Sequence, residues 1–277
     1  MIQKELKIDG IQTFVTQWAE PADFARDADS KLSNSQKRCR EEWTGETWKG
    51  ALANAIHGSK KHVPAAEAML EKASFAIESP RSRWVSSVAG AYPIVPEALA
   101  GFPEPMRRRV NVKDEGLPLK IVIDCTSSAA IDHKMLLTRG ITYLALAMNL
   151  ANTRPVEMHM LIAEGDTYTP TGIVAIRIPS APLDLAVASN ALTSVGLMRG
   201  LGYSWLNGMH GVGGGWAWCQ SPFTEAKRKI YIANMRVALE LAETDLFVPP
   251  THCDDEAIKN PIEFLKWTVS ELNGESD

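Results

Sequence analysis

Leu119-Lys-Ile-Val-Ile-Asp124 is the segment that most narrows the folds open to this chain. It is short, β-branched and apolar at nearly every position. That is the texture of a strand buried on both faces, and such strands belong to parallel sheets covered by helices. A tight polar turn follows at Cys125-Thr-Ser-Ser-Ala129. Residues 131–151 then read as a helix that is apolar almost all round and therefore deeply buried. Strands over 156–163 and 172–178, a helix over 183–192 with Asp184 in its first turn, and a short strand at Phe247-Val248 continue the alternation. A last helix opens with Asn260 as its cap, Pro261 at the first helical position and Glu263 at capping-box spacing. The pattern predicts an α/β fold over about residues 117–273, a mostly parallel sheet with helices on both faces.

The residues before 117 predict a smaller, mainly helical N-terminal region. Residues 1–40 mix sparse apolar positions with many charges and read as an arm that packs weakly or docks on another subunit. Residues 41–116 read as a helical region. It holds one helix over 44–58, capped by Thr44 with Glu46 in its first turn, and a second over 64–78, opened by Pro64 and stopped by Pro80. Pro93, Pro96, Pro103 and Pro105 make the stretch between Gly90 and Met106 an extended connector. The expected organisation is an arm over 1–40, a helical region over 41–116 and an α/β domain over 117–277.

Several classes of protein are disfavoured. No apolar run reaches the ~18 residues a membrane span needs. The N-terminus Met1-Ile-Gln-Lys-Glu-Leu-Lys has no apolar segment of the secretory kind. The four cysteines, 39, 125, 219 and 253, include no Cys-x-x-Cys pair, which argues against a zinc ribbon or a disulfide scaffold. The expectation is a soluble, reduced, cytoplasmic protein with no membrane partner. Its net charge of −4 is divided unevenly, with 17 Lys and Arg against 14 Asp and Glu in residues 1–113, and 12 against 19 in 114–277. A basic half on an acidic protein allows a local anion-binding face.

That half carries the clusters Lys37/Arg38/Arg40, Lys60/Lys61/His62, Arg81/Arg83 and Arg107/Arg108/Arg109 with Lys113, interleaved with Trp43, Trp48 and Trp84. Cations alternating with aromatics are the composition of a single-stranded nucleic-acid groove. Each cluster alone is also what a solvated face looks like, and Trp48 has the helical spacing of a core residue. Gly211-Val-Gly-Gly-Gly-Trp216-Ala-Trp218 lacks the Gly-Lys-Ser/Thr of a P-loop. If extended, it presents Trp216 and Trp218 on one side as a stacking surface, with Lys227-Arg228-Lys229 close behind to meet phosphates. The alternative is a hairpin packing both indoles on the core.

Asp124-x-Thr126-x-Ser128 lies at the C-terminal end of the first sheet strand, where open α/β sheets hold ligands. Its oxygen-only donors suit a hard cation such as Mg²⁺. The pattern resembles the metal-binding loop of von Willebrand factor A-type domains, Asp-x-Ser-x-Ser, with Thr126 in place of the first serine. The resemblance implies a divalent-cation-dependent interaction module, and it is the alternative reading. The competing view of the same residues is a helix N-terminus capped by Ser127 or Ser128. No Gly-x-Ser-x-Gly or His-Glu-x-x-His is present and the six histidines lack ligand spacing, so no enzyme and no obligatory cofactor are expected.

Trp43-x-Gly45, Gly90-x-x-Pro93-x-Val-Pro96, Gly101-x-Pro103-x-x-Met106, Arg139-Gly140 and Arg154-Pro-Val156 together resemble an uncharacterised tailed-phage domain family over about residues 43–180. Among phages related to those with a virion-packaged RNA polymerase, a protein of about this type is a single-stranded-DNA-binding cofactor that recruits the phage RNA polymerase to middle promoters. The resemblance implies the same role here, in the host cytoplasm, with single-stranded DNA and the polymerase as partners and a homo-oligomer as the working form.

Overall fold

The computed structural model describes residues 1–74, 82–111, 119–127, 131–153, 155–166, 169–180, 182–209, 225–250 and 255–273. The chain opens with a hairpin, β1 (Ile2–Ile8) and β2 (Ile11–Trp18), and then helices α1 (Pro21–Lys31), α2 (Glu41–Thr44), α3 (Trp48–His57) and α4 (Val63–Ser74). A small antiparallel sheet follows, made of β3 (Ser82–Ser87), β4 (Tyr92–Pro93) and β5 (Met106–Asn111), with the short helix α5 (Val95–Leu99) between the last two. Next come β6 (Leu119–Asp124), α6 (His133–Thr153), the strand pair β7 (Val156–Asp166) and β8 (Thr169–Ile178), and α7 (Leu185–Thr193). A π-helical stretch, Gly196–Gly202, leads into α8 (Tyr203–Met209). The chain continues through α9 (Glu225–Ala238), β9 (Leu246–Val248), α10 (Glu256–Lys259) and α11 (Pro261–Asn273).

The main sheet has six strands in the order β1-β2-β8-β7-β6-β9. The β2–β8, β6–β7 and β6–β9 pairs are parallel, and β1–β2 and β7–β8 are antiparallel, so the sheet is mixed and mostly parallel. The apolar run in β6 is used on both sides, as its composition predicts. Ile121 and Ile123 join a core cluster with Met158, Met160 and Ile162 of β7, Phe24 of α1, Leu144 of α6 and Trp205 of α8. Val122 points the other way, into a cluster with Leu161, Ala175, Tyr231 and Met235. Alternate residues of one strand thus feed two cores.

Residues 2–18 are not an arm. Leu6, Ile8, Phe14, Val15 and Trp18, too sparse in sequence to mark a core, sit at strand spacing, and β2 pairs in parallel with β8 from Phe14↔Gly172 to Trp18↔Ile176. The proline-rich stretch is not simply extended either. Pro96 occupies the first turn of α5, where its fixed φ and missing N–H fit a helix start. Thr44 does not open a helix over 44–58. It ends α2, because Gly45 at φ 71° turns the chain into the left-handed region, and Thr47 caps α3 by accepting from the Gly50 amide. The capping box at Asn260 does not form, since the Asn260 side chain donates to Glu256 and Glu263 pairs with Lys266. Among the described residues no helix is long and apolar enough to cross a membrane.

Candidate functional site

The C-terminal end of β6 is a buried polar cluster. Asp124 is wholly buried. Its Oδ1 accepts from the Thr126 amide at 2.9 Å, and its Oδ2 accepts from the Tyr231 hydroxyl of α9 at 2.6 Å. Burial pushes the Asp124 carboxyl up from its ordinary value, and the hydrogen bonds from Thr126 and Tyr231 offset part of that. The Thr126 hydroxyl accepts from the Ala163 amide at 2.8 Å and so ties the turn to β7. Tyr203 donates to the Ser127 carbonyl at 2.9 Å and accepts from the Ser127 amide. Ser128 lies outside the described residues. The helix after this turn is not capped by Ser127. It begins at His133, and Asp132 takes the cap position by accepting from the Lys134 amide at 3.0 Å.

Arg139, on α6, holds this cluster together. Its Nη1 donates to the Asp124 carbonyl at 3.1 Å, its Nη2 to the Pro249 carbonyl at 2.6 Å, and its Nε to Asp255 at 2.8 Å. The guanidinium lies 4.8 Å from the Tyr143 ring centroid. β6 and β9 are the neighbours where the order of strands along the chain reverses, and in open α/β sheets the crevice at such a reversal is the usual ligand position. Here one arginine spans the ends of both strands. Cys125 beside it is no nucleophile, since burial pushes its thiol up to about 12. Sequence reasoning used Arg139 only as part of a family pattern, with no role at this turn, and passed over Tyr231. The one signal was an arginine in the apolar run of a buried helix, a position that demands partners.

The expected nucleic-acid residues are spread over separate elements. Lys37 pairs with Asp29 at 2.8 Å and lies over the Trp48 ring, while Arg38 and Arg40 are exposed on the segment leading into α2. Trp43 is packed against the core under the Arg199 guanidinium, 4.8 Å away, and so is no free stacking surface. Lys60 and Lys61 are exposed before α4. Lys227, Arg228 and Lys229 stand in the first half of α9, a helix the sequence reading did not anticipate. Arg81, Lys113, Trp216 and Trp218 lie outside the described residues, and for Arg83 and Arg109 only the backbone is described.

Arg107 and Arg108 have the most defined setting. They lie in β5, exposed, and among the described residues neither has an ion-pair partner. Tyr92 of β4 stands in register with Arg107, as does Ser86 of β3 from the other side. The Ala91 amide donates to the Arg107 carbonyl at 2.8 Å. That approach depends on Gly90, where any Cβ would collide with the Arg107 carbonyl group and come within 2.9 Å of the Arg108 amide nitrogen. Among the described residues the small sheet makes no extensive contact with any other element. Around it Val88, Tyr92, Val95, Leu99 and Phe102 are all exposed.

A family model matches residues 4–253, from the first strand of the hairpin to just beyond β9. The chain belongs to the family described as Domain of unknown function (DUF7192). The match takes in nearly all of the hairpin, the small sheet, and Asp124, Arg139, Tyr231 and Pro249 of the buried cluster, and so treats them as parts of one family unit; Asp255, α10 and α11 lie beyond it. No curated protein and no solved structure matches the chain. Among the described residues no group of three His, Cys, Asp or Glu is placed to hold a metal ion.

Proposed function

We propose that this DUF7192 chain binds single-stranded DNA through its small sheet, acting without enzymatic activity as a cofactor that recruits a phage RNA polymerase in the host cytoplasm. The observation that carries the reading is the β4–β5 register, which sets Tyr92 directly opposite Arg107. Side chains facing each other across an antiparallel pair leave the same face about 5 Å apart. An exposed phenol ring beside an exposed guanidinium offers a base a surface to stack on and its phosphate a cation. Arg108, next along β5, is also exposed but leaves the opposite face of the sheet, so the platform is Tyr92 with Arg107.

Polymerase recruitment and a homo-oligomeric form rest on the tailed-phage resemblance. Val88, Val95 and Leu99, apolar and exposed beside the same sheet, support a protein-contacting role for that region. The finer architecture, helices on both faces and a mainly helical N-terminal region, belongs to the same reading. The packing of α9 residues Tyr231 and Met235 with Val122, opposite the cluster of α1 and α6, supports its first part. A cation at Asp124 would have to displace both the Tyr231 hydroxyl and the Thr126 amide, which makes that alternative the weaker one. A gel-shift titration with a single-stranded oligonucleotide at two salt concentrations, with and without EDTA, tests the proposal. Salt-sensitive binding indifferent to EDTA supports it, and no binding at low salt removes it.

A further inference from the structure

A cleft of about 700 Å³ opens along the free edge of β9, between α9 and α11. Its walls are aromatic and fixed. Tyr143 is held between the Arg139 guanidinium and the edge of Phe264, with ring centroids 5.6 Å apart in the latter pair. Tyr231 is pinned at its hydroxyl by Asp124 and lies 6.4 Å from Phe247. Trp267 lines the same cleft yet is 63% exposed, an indole at the mouth with most of its surface in solvent.

The charges around the cleft are unequal in their engagement. Asp255 is bound to Arg139, Glu256 accepts from Asn260 at 2.8 Å, and Glu263 pairs with Lys266 at 2.8 Å. Arg228, which also lines the cleft, has no hydrogen-bond or ion-pair partner among the described residues.

We propose that this cleft is a binding site for a small amphiphilic anion, a carboxylate with an aromatic or compact aliphatic body. The body lies against Phe247, Phe264 and Trp267, and the anionic group meets Arg228. An apolar, pre-formed wall with few convergent polar groups is the usual form of a small-molecule site, and a guanidinium matches a carboxylate with two parallel hydrogen bonds. The site is separate from the small sheet and independent of DNA binding.

The test is calorimetric titration of the full chain with three probes of one shape: 2-naphthoate, neutral 2-naphthylmethanol and cationic 2-naphthylmethylamine. The expected order is naphthoate tightest, by about tenfold over the alcohol, as a charge-assisted hydrogen bond gives, and the amine weakest. Arg228→Gln, a change at a half-exposed position, should equalise naphthoate and alcohol while leaving alcohol binding intact. Trp267→Ala should weaken all three together. The paired replacement of Arg107 and Arg108 by Ala should leave naphthoate binding unchanged, so that failure here and failure of DNA binding are told apart. Absence of saturable binding, equal affinity for the three probes, or a charge preference that survives Arg228→Gln overturns the proposal.

Discussion

The Tyr231 hydroxyl donates to Asp124 Oδ2 at 2.6 Å, joining α9 to the end of β6 across the second core cluster. This single bond satisfies half of a wholly buried carboxylate, and the Thr126 amide satisfies the other half. Tyr231→Phe should therefore lower unfolding free energy by about 1–3 kcal/mol, the cost of leaving one buried acceptor unmet. Asp124→Ala should be at least as destabilising, with single-stranded DNA affinity unchanged in the folded fraction. Chemical denaturation measures the first, and binding below the transition measures the second.

Arg139 makes three polar contacts in three directions, to Asp124, Pro249 and Asp255. Arg139→Met leaves the nearly buried Asp255 without its cation and two carbonyls without donors, and should cost about 3–5 kcal/mol. Arg139→Lys should recover little of this, since an ammonium on a flexible stem cannot reproduce the planar fork. Comparing the two variants by denaturation separates lost charge from lost geometry.

Glu164, on β7, is buried, and among the described residues its Oε2 has no hydrogen-bond partner. Burial pushes its carboxyl up to about 7, against an ordinary 4.5. Between those two values the folded chain keeps a proton that the unfolded chain releases, so stability falls as pH rises from 4.5 to 7 and levels off above. Glu164→Gln should remove that slope and stabilise the protein at pH 8 by roughly 1–3 kcal/mol. Melting curves from pH 4 to 8 show whether the wild type declines across this window while the variant does not.

If the small sheet is the DNA platform, its cation and its ring contribute in different ways. Arg107→Ala should reduce the slope of log affinity against log salt by about 0.7, the share of one phosphate contact for single strands. Tyr92→Ala should instead cost about 1–3 kcal/mol and leave that slope nearly unchanged. Both positions are exposed, so neither variant should lower the melting temperature.

The segments legible in the sequence were those whose side chains alone dictate their fate. β6 and α6 are apolar along nearly their whole length, and no other placement suits them. The hairpin was not legible, because its outer strand alternates charge with weak apolar residues. Its burial comes from pairing with β8, 158 residues away along the chain, and from packing of Ile8 on α9 and of Trp18 on Phe24 and Trp205. The Asp124 turn was visible as a cluster of oxygen donors, but its partners Tyr231 and Arg139 belong to elements that only the fold brings near. Arg107 and Arg108 stood out as charge. What the sequence withheld was the register that sets Tyr92 beside one of them.

The parallel pairing of β2 with β8 also bears on how the chain is made. Residues 11–18 leave the ribosome well before the strand they dock on, residues 169–178, and among the described residues β8 is the one strand outside the hairpin that β2 pairs with. A two-stranded hairpin alone is marginal in water. The hairpin therefore cannot take its place in the sheet until residues 169–178 have emerged. Non-local pairings of this kind slow folding and lengthen the time in which a nascent chain can aggregate.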